Sequence, residues 1–442
     1  MKSRLERFFD FESRGARWRD EAIGGATTFL TMSYIIFVQP ALLAQAGMDF
    51  GAVMTATCLS AAFATVIMAV WANYPIVLAP GMGENFYFVF GVVLATGMIW
   101  TEAMAAVFYA GIIFVLLSFS RVRKIILDAI PDVLKTAIGI GIGLFIALMG
   151  FQNAGLVVKN PGGLIQLGDL SQAPVLLSIG GLLLTAMFLA RRIPGAIFWG
   201  ILATAIGGVL LRVVHLDGFV SLPPSLGPTF ARLDWTPTID TAFLTAVFVF
   251  LFLDLFDTTG TLAGLGKRAG YFKEGRLPRA QRAFAADALG TVGGAVLGTS
   301  TVTAYIESAA GIVAGAKTGV AALVAAALFL LSMFFAPLVR AIGSGVVTAE
   351  GVTLYPITAP ALIIVGALMI QLVRDIRWDD PTESIPAFLV AIGMPITYSI
   401  TDGLAFGFIS YPLVKLASGR GREIHPALYI IAVLFIVRYL LT

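Results

Sequence analysis

The stretch Ala79-Pro80-Gly81-Met82-Gly83-Glu84-Asn85-Phe86-Tyr87-Phe88 breaks an apolar run with a proline, two glycines, an acid and an amide. Pro80 lacks an amide hydrogen, and Gly81 and Gly83 tolerate dihedrals that a helix forbids. The chain is therefore expected to run extended here and to begin a helix near Glu84. A second break runs from Gly298 to Gly311, with alternating β-branched and hydroxyl residues from Thr299 to Tyr305. That pattern favours a short strand before small residues resume as a helix. Two such strands arriving from opposite directions can pair and satisfy each other's backbone groups. Extended chain at membrane depth is tolerated only where protein or a cavity surrounds it. The helices that follow present free amide hydrogens and a positive dipole end to the middle of the bilayer.

The rest of the chain demands a bilayer. Of 442 residues, 58% are apolar, and only 29 basic and 26 acidic side chains are present. A soluble chain would be roughly one quarter charged. Mean hydropathy is +0.92. This excludes a cytosolic enzyme, a secreted disulfide scaffold and a nucleic-acid binder. Cys58 is the single cysteine, and His215 and His425 are the only histidines. A thiolate cluster, an imidazole metal site and a Ser-His-Asp triad are thus out of reach, and no cofactor or metal is expected. Eleven charges in the first 21 residues exclude a signal peptide. Lys2 to Asp20, with Leu5, Phe8, Phe9 and Phe11 among the charges, reads as a helix lying on the inner membrane surface.

Segments of about 20 apolar residues can span a bilayer. Candidates lie near 22–43, 51–72, 76–92, 100–121, 131–150, 174–190 and 194–213. A second series lies near 238–265, 281–298, 300–316, 318–338, 355–374, 384–400 and 402–417, with His425 to Leu441 left over. With the amino terminus inside, the inner loops hold 24 of the 29 Lys and Arg residues, and the outer side receives only Lys159, Arg212, Arg232 and Arg340, with Arg438 in the leftover segment. This is the asymmetry expected of cytoplasmic loops, and it supports fourteen spans. Seven spans per half start the second half on the opposite side from the first, which is the condition for an inverted repeat. The two broken segments are each the third of their half, the best sequence pointer to a transporter's binding site.

Four acids fall where lipid forbids them: Glu84, Asp254, Asp257 and Glu307. Glu307 stands at the amino end of the second half-helix, either as a structural cap or as a ligand for substrate. Asp254 and Asp257 share one helix face, with Thr258 a turn on from Asp254. Two close carboxylates in low dielectric can share a proton. Alternatively, Asp254 faces the ligand while Asp257 holds the helix. Thr27, Thr28, Thr31, Ser33 and Tyr34 form a polar face on the first span. Asp287 reads as a helix-start or packing residue, and Glu350 and Asp402 as solvated end residues.

Thr27 to Pro40, Pro80 to Phe88, Asp254 to Leu262 and Gly298 to Gly311 together resemble the AzgA-like branch of the nucleobase–cation symporters. The resemblance runs from about residue 15 to 420. It implies an all-α polytopic membrane protein of fourteen segments in two inverted seven-segment repeats, with short antiparallel strands in segments 3 and 10. It also implies a core domain (22–121 and 238–338), a gate domain (131–213 and 355–442) and a cytoplasmic amphipathic segment (1–21). The activity implied is proton-coupled import of purine nucleobases across the bacterial inner membrane by a homodimer paired through its gates, with the core moving as an elevator. Xanthine or uracil as substrate, or Na⁺ as coupling ion, are the alternatives. Carried to matching positions, the family roles make Asp254 and Glu307 the main side chains on the base. Asn85 and Gly83 shape the site, backbone around Phe86, Tyr305 and Ile306 edges it, and Asp257 supports or couples. Thr258 replaces the histidine of the uracil branch. Glu84 and Phe86 depart from the branch pattern, in which neutral small or aliphatic residues flank the asparagine. Glu84 either faces away or adds a protonatable group, and Phe86 narrows or stacks against the pocket.

Two competitors fit less well. An intramembrane aspartyl protease takes its two acids from different helices, and an anion transporter would not place a carboxylate at Glu307.

Overall fold

The computed structural model describes residues 4–120, 129–160, 162–272, 277–348 and 351–441. Lys2 and Glu350 lie outside them. The first half contains helices α1 (Arg4–Phe8), α2 (Phe11–Arg14), α3 (Trp18–Met32), α4 (Ile35–Ala44) and α5 (Phe50–Ile67), then strand β1 (Leu78–Pro80). It continues with α6 (Met82–Phe86), α7 (Trp100–Phe119), α8 (Asp132–Asn153), the hairpin β2 (Val157–Lys159) and β3 (Ile165–Leu167), α9 (Ala173–Ala190) and α10 (Ala196–Leu210). The second half contains α11 (Thr241–Arg268), α12 (Ala280–Leu297), β4 (Val302–Ala304), α13 (Ser308–Val313), α14 (Gly319–Ser332) and α15 (Ala336–Gly343). After the hairpin β5 (Val346–Val347) and β6 (Thr353–Leu354) come α16 (Ala359–Met369), α17 (Pro381–Thr397), α18 (Ile400–Ala417) and α19 (Pro426–Leu441). Among the described residues, seven helical stretches are long and apolar enough to cross a membrane.

The two broken segments meet. β1 and β4 pair antiparallel, with Leu78 opposite Ala304, Ala79 opposite Thr303 and Pro80 opposite Val302. Gly81 N–H to Thr301 C=O and Tyr305 N–H to Val77 C=O, each 3.0 Å, extend the ladder at both ends. The outer edges are closed by threonines. The Thr65 hydroxyl on α5 serves both backbone groups of Leu78, at 2.9 and 3.1 Å, and Thr291 on α12 accepts from Val302 N–H at 3.1 Å and shares its one hydroxyl proton between the Val302 carbonyl, at 3.1 Å, and Asp254. Since Val302 turns its N–H and C=O to Thr291, the N–H that Pro80 lacks costs the ladder nothing.

Around this sheet the helices pack in two sets. One joins α3–α7 to α11–α15, and the other joins α8–α10 to α16–α19. Bare backbone lets α3 and α13 touch: a side chain at Gly311 would collide with the Gly24 carbonyl and the Thr28 hydroxyl. α19 lies along α18. Phe435 stacks on Phe408, and Tyr439 donates to Asp402 Oδ1 at 2.6 Å, so Asp402 has a protein partner as well as solvent.

The amino-terminal segment departs from the single surface helix expected. Asp10 adopts a left-handed conformation (φ 56°) between α1 and α2. Phe9 and Phe11 turn inward onto Val320, which removes them from any surface-lying face. The buried Glu21 accepts N–H bonds from Lys317 (2.9 Å), Thr318 (3.3 Å) and Ala321 (3.1 Å), covering donors that the start of α14 leaves open. Glu21→Ala should lower stability by about 3 kcal/mol, and Glu21→Gln should recover part of it, read as melting temperature in detergent.

An ionic corner joins the start of α17 to the end of α18. Lys415, only 1% exposed, lies 2.9 Å from Glu423 and 3.6 Å from Glu383, while Arg420 bonds Asp380 at 2.7 Å and Glu423 at 2.8 Å. The bonds from Arg420 hold Asp380 well below the usual carboxylate range, and those from Arg420 and Lys415 hold Glu423 down at about 2. Depressed carboxylates contribute stability that is complete above their ordinary range and fades as pH falls through the folded values. The melting-temperature gap between wild type and Arg420→Gln should therefore hold from neutral pH to about pH 5 and shrink in more acid solution.

Candidate functional site

The sheet aims two helix starts at one another, since α6 begins directly after β1 and α13 shortly after β4. Neither start has a side-chain cap: Gly81 precedes α6, and Glu307, preceding α13, makes no cap bond. At α13 the amides of Ser308, Ala309 and Ala310 bond back to the carbonyls of Tyr305, Ile306 and Glu307, so the preceding turn occupies them.

α11 and α12 supply the acids beside these starts. Asp254 is 1% exposed; its Oδ2 accepts from Thr291 at 2.8 Å, and its carboxyl group also faces Asp287 of α12. Asp257, one turn on, opens to solvent and accepts from Thr303 at 3.1 Å; the Thr303 and Thr258 hydroxyls lie 3.0 Å apart. Both threonines thus link the acid-bearing helix to β4. The buried Glu84 folds back over Gly81 so that its carboxylate and the Thr303 side chain fill the space a side chain at Gly81 would need. It lies within electrostatic reach of Asp257 and Asp254. Glu84 therefore faces the acid cluster and not away from it.

On the other side, Tyr34 donates to Glu307 Oε1 at 2.9 Å, and Tyr305 donates to the Pro80 carbonyl at 2.5 Å. Asn85 is fully buried. Its carbonyl accepts from Gln39 Nε2 at 3.1 Å and from the Ser300 hydroxyl, which leaves its NH2 group without a partner. Gly83 lets α6 approach α8: a side chain there would stand 3.1 Å from Ile142. The Phe86 ring is enclosed, stacked on Phe90 and edge-on to Phe145 of α8, so it packs the two helix sets together rather than facing open space. Ile306 is 54% exposed.

Exposed residues run from this cluster along α11 toward the end of the molecule that carries the amino terminus. Asp257, Gly260, Ala263 and Gly264 form an exposed stripe along α11, joined by Ile306 and the half-buried Thr27, Thr31 and Glu307. Nothing lies within 4 Å of the place where a side chain at Gly260 would start. The threonine face of the first span accordingly joins this exposed stripe in part.

Three participants were missed in the sequence. Asp287 sits midway along α12, fully buried, with its carboxyl group against Asp254 and Thr258. The sequence placed it at a helix start; the helix begins seven residues earlier, at Ala280. Its depth in an apolar, small-residue run was the available signal. Thr291 carried none, because hydroxyls abound in such helices. Gln39, inside the Thr27 to Pro40 motif, could have been picked out as a buried amide. Among the described residues, Glu84, Asp254, Asp257, Asp287 and Glu307 enter no ion pair. Five acids thus gather with no base in contact.

Comparison with known proteins places this geometry. The guanine/hypoxanthine permease PbuG of Bacillus subtilis is 44% identical, over 99% of each chain. The adenine permease AdeP of Escherichia coli is 42% identical, over 98% of this chain and 95% of its own. Among solved structures, the transmembrane domain of the cyanobacterium bicarbonate transporter BicA superposes with a TM-score of 0.63 at 13% identity, covering 88% of this chain and 97% of that one. SLC26A9 superposes with a TM-score of 0.62 at 11% identity, covering 90% and 65%. Those two likenesses concern the fold. The model described as Permease family (Xan_ur_permease) matches residues 19–406, and the chain belongs to that family: it is a multi-pass membrane transporter and not an enzyme.

Proposed function

We propose that this chain is a proton-coupled importer of purine nucleobases (hypoxanthine, guanine or adenine). The observation that carries the reading is the gathering of five acids, Asp254 and Asp287 facing one another among them, beside the place where β1 meets β4. A purine offers ring N–H and amino donors to carboxylates, and carbonyl or ring nitrogen acceptors to backbone amides and the free Asn85 NH2. Asp254 and Glu307 grip its edges, and Tyr34 and Tyr305 orient the site around Glu307. Three of the acids, Glu84, Asp254 and Asp287, are buried, and an uncompensated buried charge costs several kcal/mol. With no base beside them, protons are the compensating charge, and a proton bound with the base lowers the barrier to crossing. The relatives named for guanine, hypoxanthine and adenine support the substrate class.

In this reading the α3–α7 and α11–α15 set is a core that slides as an elevator against a gate of α8–α10 and α16–α19. Ile142 and Phe145 form the gate wall that Gly83 and Phe86 touch. Fourteen segments form two inverted repeats, α19 runs beside the last, and two copies pair through the gates in the bacterial inner membrane. With the amino terminus in the cytoplasm, as the distribution of Lys and Arg favours, the exposed stripe along α11 runs toward the inner side.

Purified protein in vesicles should accumulate labelled purine only under an inward proton gradient. Uptake that ignores the proton gradient, or that follows Na⁺ instead, would refute the coupling. Glu307→Gln and Asp254→Asn should each cut uptake about 100-fold, as expected for losing a charged hydrogen-bond partner of the substrate. Wild-type rates in either would remove that residue from the site. Asp287→Asn should keep base binding and lose at least about tenfold in gradient-driven uptake, a barrier change of some 1.4 kcal/mol. A purely packing role would leave the ratio of binding to uptake unchanged.

A further inference from the structure

Residues 4–20 are bolted to one helix set. Arg14 donates to the carbonyls of Asn73 and Lys317, both at 2.9 Å, and lies 5.3 Å over the Tyr271 ring. Asn73 donates to the Phe9 carbonyl at 2.9 Å and accepts from Gly319 N–H at 2.8 Å. Asp10 pairs with Arg279 at 3.1 Å, and Lys317 donates to the Gly15 carbonyl at 3.1 Å. Every one of these partners lies on the turns that flank α5, α12 and α14.

The outward side of the segment is exposed and amphipathic. Leu5 and Phe8 are each 55% exposed and Trp18 is 45% exposed. Trp18 donates to Glu6 at 3.0 Å, which holds α1 beside the point where α3 begins its apolar course. Tryptophan at such an entry belongs to the headgroup level of a membrane. Arg4, Arg7, Arg17 and Arg19 are exposed around this patch and form no ion pair among the described residues. The nearby acids are largely engaged: Glu6 with Trp18, Asp10 with Arg279 and Glu21 with α14. Four guanidiniums at headgroup level, flanking apolar side chains, match a surface of anionic lipid.

We propose that the outer face of residues 4–19 docks on anionic phospholipid headgroups, with Leu5, Phe8 and Trp18 seated among the upper acyl carbons, so that lipid grips the helix set carrying the site. This surface is independent of the nucleobase assignment. The test is melting temperature of the full chain in neutral detergent, with phosphatidylglycerol or phosphatidylcholine added at equal concentration. Phosphatidylglycerol should raise it by about 2–4 °C more than phosphatidylcholine, and salt should erase the difference. R4Q/R7Q/R17Q/R19Q should lose at least half of that difference. L5S/F8S should weaken the response to both lipids, and R191Q/R192Q, removing two exposed arginines elsewhere, should change neither. If the quadruple variant fails to fold, R4Q/R7Q alone should lose part of the difference. An undiminished response to phosphatidylglycerol in these variants, or an equal loss in R191Q/R192Q, would overturn the proposal. So would a changed oligomeric mass for L5S/F8S, which would mark the patch as a protein contact.

Discussion

A chain that leaves its helix inside a bilayer must find a partner for every N–H and C=O it exposes, because hydrocarbon supplies none. Here the two departures answer one another: three residues of β1 pair with three of β4, and Thr65 and Thr291 seal the edges. The rest of the site depends on that pairing. It sets the starts of α6 and α13 opposite each other, turns Thr303 toward α11, and holds Thr291 where its hydroxyl reaches both Val302 and Asp254. The two edge threonines sit on α5 and α12, helices that flank the broken segments in their respective halves. The same solution thus appears once in each direction.

Charge follows from the same constraint. Bases stand at helix ends and in the ionic corner around Lys415, where water or carboxylates accompany them. The acids near the sheet have hydroxyls and amides for neighbours instead: Thr291 for Asp254, Thr303 for Asp257 and Tyr34 for Glu307. Such neighbours orient a carboxylate without neutralising it. Acids surrounded this way attract positive charge and hydrogen-bond donors and repel anions. The fold this chain shares with a bicarbonate transporter therefore says little about cargo; the side chains on it decide.

Close approach is the second device. Gly24 against Gly311 lets α3 cross α13, and Gly83 against Ile142 lets the half-helix α6 meet α8. Phe86 fills the second contact with Phe90 and Phe145. This explains how a bulky aromatic is accommodated directly after Asn85: the helix turns its ring away from the acids while the amide stays among Gln39 and Ser300.

The sequence by itself determined the membrane class, the two broken segments, the strands within them and four of the five acids, because composition, glycine and proline placement and charge scarcity are local properties that lipid magnifies. The motifs also determined the family. Local pattern could not tell which way a side chain points once two distant segments come together. The tertiary structure alone decided that Glu84 folds over Gly81 toward Asp257, that Glu307 bonds Tyr34 and not its own helix start, and that Asp287 lies mid-helix against Asp254. It also divided the amino-terminal aromatics, burying Phe9 and Phe11 on Val320 and leaving Leu5 and Phe8 outside. Each of those outcomes rests on a contact between residues far apart in the chain, whose geometry is set only when the helices pack.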